Sequence, residues 1–462
     1  MFKPEKFTGK KACVLGLGRS GRQAAALLIR RGFDVLVSEE HLLPDVPALG
    51  LPPQAEVETG GHSEKVFTCG FIVKSPGILP NSPVLKEARR RKIPVFSELE
   101  VALAFAPKGV TVLAVSGTNG KTTTTALLGE ILKEYCARLA PRKRVFVAGN
   151  IGAPVSACAD ELRKGDFLAL EVSSYQLEDS TFFRPKVACL LNITPDHLEH
   201  HGGMDGYIKA KARLFKNQRS NDFAVLNGGD EHCAALAGGL KASLSAFSAK
   251  PSHTLKTDVF FDGDEIIFSA GYHLKPPKLK GIHNVENAMA AALCALAVDV
   301  PAPIIQTVFD RFEAMEHRIE PFAYHRGVVY VNDSKATNLD STVIALKSFD
   351  KTPHIWLILG GRDKGASYEI LLPYLKAYCK EVFSVGECMD KIERELKGEF
   401  PVTRCGTLER AVEEAFAKAK KGDIVLLSPA CASFDQFKDF EERGRVFKKL
   451  VTDRVKKERT GG

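Results

Sequence analysis

The residues Gly117-Thr118-Asn119-Gly120-Lys121-Thr122-Thr123 follow directly on the apolar run Val-Thr-Val-Leu-Ala-Val-Ser at 110–116. A strand, a glycine-rich turn and a helix start, in that order, present successive backbone N–H groups to phosphate oxygens. Lys121 would then reach the terminal phosphates, and Thr122 would ligate Mg2+. Val115 stands where the full Walker pattern has its first glycine. The plain alternative is a solvated lysine at a helix start, but the strand–turn–helix context favours ATP. A Mg·ATP site needs further hard oxygen ligands. Glu171 closes Phe-Leu-Ala-Leu-Glu at 167–171, ahead of Val172-Ser173-Ser174-Tyr175-Gln176-Leu177, and Asp196-His197 follow Asn192-Ile193-Thr194-Pro195. Ligands gather outside the carboxyl ends of parallel strands, so both loops should face Lys121. Taken alone, Glu171 reads equally well as a salt-bridged strand end.

His197 and His201 share the i,i+4 spacing of a helical zinc pair, but no third ligand stands at a telling distance, so zinc is not expected. By spacing alone Lys211 is one of several exposed helix cations, and Arg89-Arg90-Arg91-Lys92 is a solvated helix face without the interleaved aromatics of a nucleic-acid surface. Near the N-terminus, Gly16-Leu17-Gly18-Arg19-Ser20-Gly21 has the glycine spacing that brings a pyrophosphate to a helix N-terminus. Ser38-Glu39-Glu40 ends the next apolar run, where an acidic residue would meet a ribose. The pair suits a nicotinamide enzyme, another nucleotide's diphosphate, or a purely structural turn.

Short apolar runs alternate with helical stretches along most of the chain, the pattern of α/β domains with parallel sheets. The first series is 12–16, 34–38 and 71–75, with a helix from Arg22 to Arg31 closed by Gly32 and another from Glu98 to Phe105; Pro107-Lys108-Gly109 then breaks the chain. The second is 110–116, 144–149, 167–173, 187–194 and 223–227. Two apolar runs flank Asp262-Gly263, a hairpin signal pointing to a small appended antiparallel sheet, and helices at 284–298 and 303–312 follow. The third series is 328–332, 355–361, 381–386 and 423–429, and the last eight residues read as a frayed tail. Domains are therefore expected at 1–107, 108–314 and 315–462.

Composition agrees with a folded multidomain chain: 462 residues, 45% hydrophobic and 26% charged, which excludes disorder and coiled coil. The net charge of +8 is too diffuse to argue for nucleic acid. The longest strongly apolar run, Ala288 to Val298, falls short of the ~18 residues of a membrane span. No apolar signal segment follows Met1, and eleven cysteines without a Cys-x-x-Cys pair suit a reducing compartment, so a cytoplasmic protein is expected.

Seven strings then occur together and in order: GTNGKTT, EVSSYQLE, NITPDHLEHH, GIHNVENAMAA, EHRIE, NDSKATN and SPACASFDQFKDFEERG. With them the chain resembles the Mur ligases from about residue 12 to 447. GLGRSG, SPGI at 75–78 and SPACASFDQF resemble the D-glutamate-adding branch in particular. The resemblance implies three α/β domains: a Rossmann-like N-terminal domain, a central P-loop ATPase-like domain with the small antiparallel sheet, and a Rossmann-like C-terminal domain. It implies that ATP activates the carboxylate of UDP-N-acetylmuramoyl-L-alanine as an acyl phosphate, which the amine of D-glutamate attacks. A monomer acting without nucleic acid or membrane insertion is expected.

The same resemblance implies roles residue by residue. Lys121 screens the β- and γ-phosphates within the ATP loop Gly117, Thr118, Asn119, Gly120, Thr122 and Thr123. Thr122 and Glu171 hold one Mg2+, and His197 is a ligand of a second. Lys211 is carbamylated by CO2, which displaces its reading as a surface cation. Asn284 and Asn287 lie by the adenine, Arg318 by the γ-phosphate and Asp333 by the ribose. Gly18, Arg19, Ser20 and Gly77 hold the uridine diphosphate, and Asn150 the muramoyl end. Thr337, Lys364, Ser433, Phe434 and Phe440 form the D-glutamate pocket. Ser38-Glu39-Glu40 departs from the Asp-Thr-Arg of many relatives, and Phe434 replaces a leucine. A dehydrogenase, a sibling ligase and a nucleic-acid-dependent P-loop ATPase are the rivals; none accounts for both Lys121 and SPACASFDQF.

Overall fold

The computed structural model describes residues 2–43, 49–150, 152–250, 255–279, 281–313, 316–363 and 365–460. The chain divides into two compact units, one of residues 1–276 and 285–311, the other of 277–284 and 312–462. The first unit holds two sheets. One contains β1 (Ala12–Leu15), β2 (Val35–Glu39), β3 (Glu56–Thr59), β4 (Phe71–Lys74) and β5 (Val95–Ser97) in the order β3-β2-β1-β4-β5, with every pairing parallel. Its central strand β1 is buried at all four positions, which is why it reads as a continuous apolar run. The helix Arg19–Arg30 packs tightly on this sheet because Gly21 lacks a side chain: a Cβ there would stand 1.9 Å from the Gly16 carbonyl oxygen.

The second sheet contains β6 (Thr111–Ser116), β7 (Val145–Gly149), β8 (Phe167–Glu171), β9 (Val187–Leu190), β10 (Phe223–Asn227), β11 (Ser243–Ser248), β12 (Val259–Phe261), β13 (Ile266–Phe268) and β14 (His273–Leu274). The order is β14-β13-β12-β11-β10-β9-β6-β8-β7. The strands from β7 to β12 pair in parallel, and β12, β13 and β14 pair antiparallel. The expected hairpin about Asp262-Gly263 is thus present and continues the edge of the main sheet. Buried contacts tie this sheet's loops to those of the first: Lys74 pairs with Asp179, Ser97 Oγ lies 3.1 Å from Ser180 Oγ, and Ser156 N–H donates to Glu98 Oε1 at 2.8 Å.

The second unit is built on β15 (Glu320–His325), β16 (Val328–Asn332), β17 (Ile355–Gly360), β18 (Cys379–Val385), β19 (Val402–Gly406) and β20 (Ile424–Leu427), ordered β15-β16-β20-β17-β18-β19. β15 is antiparallel to β16 and the other pairs are parallel. The chain's last turns correct one expectation. The helix Phe440–Thr460 runs through 455–460, where Glu458 accepts from His325 at 2.9 Å and Arg326 at 3.1 Å, and residues 461–462 lie outside the described residues. Residues 314 and 315, where a domain boundary was expected, lie outside the described residues.

Candidate active site

Register in the second sheet sets the phosphate loop. β6 pairs Val115 with Glu171 on one side and Ser116 with Leu190 on the other. The chain therefore leaves the sheet at Gly117 flanked by the end of β8 and the loop after β9. Asn192 shapes the turn. Its side-chain oxygen accepts from Thr118 N–H at 3.1 Å and Asn119 N–H at 2.8 Å, and its amide donates to the Asn119 carbonyl at 3.1 Å. Thr118 Oγ1 donates to the Thr194 carbonyl at 3.1 Å and accepts Thr194 N–H at 3.0 Å. Gly120 caps the helix Lys121–Leu139 with φ +83°, and a Cβ there would stand 2.2 Å from Asn287 Oδ1. Asn287 Oδ1 also accepts from buried Thr124 at 3.2 Å. Lys121 Nζ curls back onto the carbonyls of Gly117 at 2.9 Å and Thr118 at 2.7 Å.

Lys211 is not the exposed cation that helical spacing suggested. It lies on the helix Met204–Ala212, fully buried, and its Nζ donates to the same Gly117 carbonyl at 2.7 Å. Burial, reinforced by the nearby Lys121 charge, holds this amine well below the ordinary lysine value. Glu171 is buried too, and its Oε1 accepts from Asn150 Nδ2 at 2.7 Å, while Asn150 N–H donates to the Glu171 carbonyl at 2.9 Å. His197 takes a left-handed backbone, φ 54°, with Nε2 3.5 Å from Asp196 Oδ2. The donor set fits a hard divalent cation: the Thr122 hydroxyl and the Glu171 carboxylate are buried oxygens at the start and flank of the phosphate loop.

His201, which shares only its i,i+4 spacing with His197, lies with His200 among other partners. His200 Nε2 lies 2.8 Å from Glu178 Oε2, and His201 Nε2 lies 3.0 Å from Ser174 Oγ. In the first sheet Gly18 stands ahead of the helix carrying Arg19 and Ser20, and Gly77 is exposed after β4. Glu39, at the expected ribose position, accepts from Leu17 N–H at 2.8 Å and His41 N–H at 3.2 Å.

The second unit carries the remaining candidates. Arg318 sits between His317 and Ile319, both at positive φ, 65° and 41°. Asp333 follows β16; its Oδ1 accepts from Ile319 N–H at 3.2 Å and its Oδ2 from Ser428 Oγ at 2.8 Å. Burial raises its carboxyl to about 7, against the pull of the Ser428 hydrogen bond and Arg318. Asn284 N–H donates to the Gly281 carbonyl at 3.0 Å. Ser433 is buried, Thr337 and Phe440 are half-buried, and Phe434 stands 62% exposed. Lys364 lies outside the described residues.

Motif reading missed two positioning residues. Asn192 was seen only as a link before Asp196. Arg443, in the string Phe-Glu-Glu-Arg, is buried and donates to the carbonyls of Ser334 at 2.8 Å and Cys431 at 3.1 Å and to Ser334 Oγ at 3.0 Å. It joins the loop after β16 to the loop after β20. Its only sequence signal was its place inside the C-terminal string.

Comparison with known proteins agrees with this geometry. Three family models match: "Mur ligase MurD-like, N-terminal domain" at residues 10–97, "Mur ligase middle domain" at 115–295 and "Mur ligase, glutamate ligase domain" at 317–431. The UDP-N-acetylmuramoylalanine--D-glutamate ligase of Elusimicrobium minutum is 52% identical, with 97% of this chain and 99% of that protein covered. Its namesake in Koribacter versatilis is 44% identical, with 98% and 99% covered. Among solved structures, the UDP-N-acetylmuramate-alanine ligase MurC of Thermotoga maritima superposes with TM-score 0.63 at 19% identity, covering 96% of this chain and 100% of that one. MurF ligase from Thermotoga maritima in complex with ADP gives 0.59 at 18% identity, covering 83% and 90%. With all three of its sheets matched by family models and its phosphate loop built on β6, the chain belongs to the Mur ligase family, as a MurD-like member.

Proposed function

We propose that this chain is an ATP-dependent amide ligase that adds D-glutamate to UDP-N-acetylmuramoyl-L-alanine, a cytoplasmic step of peptidoglycan synthesis, and that it acts as a monomer. The observation that carries the chemistry is the convergence of Lys121 and Lys211 on the Gly117 carbonyl, one strand away from Glu171, which Asn150 contacts from the strand beyond. ATP transfers its γ-phosphoryl group to the L-alanyl carboxylate. The D-glutamate amine attacks the acyl phosphate, and the tetrahedral intermediate collapses to amide and phosphate, leaving ADP. The protein needs no nucleophile for this; it aligns and neutralises a crowded anionic centre. Lys121 leaves the loop carbonyls for the β- and γ-phosphates, and the N–H groups held by Asn192 keep the loop in shape. Thr122 and Glu171 would hold one Mg2+, and His197 with Lys211 a second; these ions supply charge neutralisation for the phosphates. Asn150, fixed by Glu171, contacts the muramoyl end.

Lys211 serves as a carbamate. Its burial favours the neutral amine, the form whose lone pair adds to CO2, giving a carbamate anion and releasing one proton. Asn284, Asn287, Arg318 and Asp333 serve ATP; Gly18, Arg19, Ser20 and Gly77 serve the uridine diphosphate. Thr337, Lys364, Ser433, Phe434 and Phe440 form the D-glutamate pocket in the last of three domains, 1–107, 108–314 and 315–462. Phosphate release with UDP-N-acetylmuramoyl-L-alanine, ATP and Mg2+ tests the reading. It should require D-glutamate, and turnover with L-glutamate or meso-diaminopimelate in its place would overturn it.

A further inference from the structure

We propose that Glu178, His200 and His201 form a transition-metal site, suited to Zn2+, beside the phosphate-loop site and separate from it. The three residues offer ligand atoms that all lie within 4.8 Å of one another. His200 Nε2 is 2.8 Å from Glu178 Oε2, and His201 Nδ1 is 3.8 Å from Glu178 Oε1. The His201 side chain is 1% exposed and that of His200 7%.

His201 Nδ1 is buried without a hydrogen-bond partner among the described residues, although it faces the Glu178 carboxylate. Its other nitrogen lies 3.0 Å from Ser174 Oγ. When Nε2 donates to that hydroxyl, Nδ1 presents a lone pair to a carboxylate oxygen. With that tautomer a buried imidazole nitrogen and an oxygen of the partly exposed Glu178 carboxylate face each other as acceptors, an arrangement that a cation between them would satisfy. Two imidazoles and a glutamate, with one imidazole anchored through its second nitrogen, form a donor set that zinc enzymes use with an open fourth position. A nitrogen-rich set favours a borderline ion over Mg2+.

The site would join two local elements. Glu178 and Ser174 belong to the helix Ser174–Glu178, whose N-terminus is fixed by a Ser173–Gln176 capping box, and His200 and His201 belong to the turn Leu198–His201 that follows His197. The Tyr175 ring, from the helix, packs on the other side of the site, its centroid 4.2 Å from that of the His200 ring and 4.9 Å from that of the His197 ring. A bound ion would hold the turn, and with it the strained His197 backbone, against this helix.

The test uses the full chain stripped of metal by chelator and kept in millimolar Mg2+, which fills hard-oxygen sites. Zn2+ titration against a chromophoric chelator should show one equivalent bound with submicromolar affinity. X-ray absorption at the zinc edge should show two imidazoles, and Co2+ should give the visible bands of a low-coordinate site. Affinity should fall about 10- to 100-fold or more in His200→Gln and in Glu178→Gln, and persist in His197→Ala. Thermal unfolding without metal identifies any variant that fails to fold, and the other then carries the test. No zinc binding in Mg2+, binding unchanged in both Gln variants, loss in His197→Ala, or an all-oxygen coordination shell would each overturn the proposal. So would a buried proton shared by Glu178 and His201 that Zn2+ cannot displace.

Discussion

Replacing Lys211 by arginine and by methionine separates charge, packing and carbamate chemistry. In the folded protein the Lys211 amine is fully buried, donates to Gly117 O, and is pushed toward neutrality by burial and by Lys121. A guanidinium cannot follow it, because it stays protonated far above neutral pH. Lys211→Arg therefore places a fixed positive charge in a buried pocket beside another cation. An uncompensated buried charge costs about 3 kcal/mol or more, and at about 2 °C per kcal/mol that lowers the melting temperature by roughly 6 °C. Lys211→Met swaps a buried neutral amine for an apolar chain of similar length, a change of less than about 1.5 kcal/mol. Stability should thus split the two variants.

Activity should not. Both lack an amine that can become a carbamate, so both should lose about 100- to 1,000-fold in kcat, the scale of removing one pre-organised electrostatic group. Differential scanning calorimetry reads the first quantity and phosphate release the second. Exhaustive removal of CO2 and bicarbonate should lower wild-type turnover, and bicarbonate should restore the wild type but neither variant. An arginine variant of wild-type stability and near-normal turnover would refute the reasoning on both counts: Lys211 would then be a simple cation in a solvated setting.

Asn192→Ala removes the acceptor of two loop N–H groups, a loss of about 1–3 kcal/mol; KM for ATP should rise about tenfold or more while KM for the nucleotide sugar holds, and an unchanged ATP KM would count against this role. Asp333, raised to about 7, binds its proton more tightly in the folded state, so its contribution to stability is complete below pH about 4 and is lost as pH climbs through 7. Asp333→Asn should accordingly be more stable than wild type by about 2–4 kcal/mol at pH 8, with the gap closing at pH 4; a gap independent of pH would show that the carboxylate is not desolvated. Arg443→Lys keeps the charge but cannot span the Ser334 and Cys431 carbonyls, so the second unit should lose about 2–3 kcal/mol in urea unfolding. Unfolding indistinguishable from wild type would remove Arg443 as the link between those loops.

The strands legible from apolar runs and those missed divide by position in the sheet. β1, β4, β6, β8, β9, β17 and β20 lie inside their sheets, buried on both faces, and appear as unbroken apolar runs. β3, β5, β14, β15 and β19, the missed strands apart from one, are sheet edges, while β7 is an edge that is legible because Val145–Gly149 is itself an apolar run. Glu-Val-Glu-Thr in β3 and Val-Thr-Arg-Cys-Gly in β19 need only one partner strand and keep polar side chains toward water, so no run marks them. The missed inner strand, β11, starts with exposed serine and leucine and becomes buried only at Ala246–Ser248. The helix that closes the chain was hidden for a related reason. Val-Lys-Lys-Glu-Arg-Thr carries little apolar periodicity, and its anchors include Val455 packed on the core and Glu458 held by a histidine and an arginine from distant sequence.

The same division governs the site. Lys121 and Thr122 are legible because the loop chemistry is local: strand, turn and helix start lie within fourteen residues, 110–123. Lys211 is the opposite case. Its neighbours Lys209 and Arg213 have the same charge and helical surroundings, and a periodicity argument treats all three alike. Their difference is set by the element packed against each. The helix Met204–Ala212 turns Tyr207 and Lys211 toward the phosphate loop, where Tyr207 Oη lies 3.1 Å from Thr118 Oγ1 and Lys211 meets Gly117. That contact spans 94 positions in sequence. Only a pattern of whole strings, seen together, could mark Lys211 in advance; the physical reason, an amine stripped of water beside a second lysine, exists only once the sheet has brought the loop and the helix together.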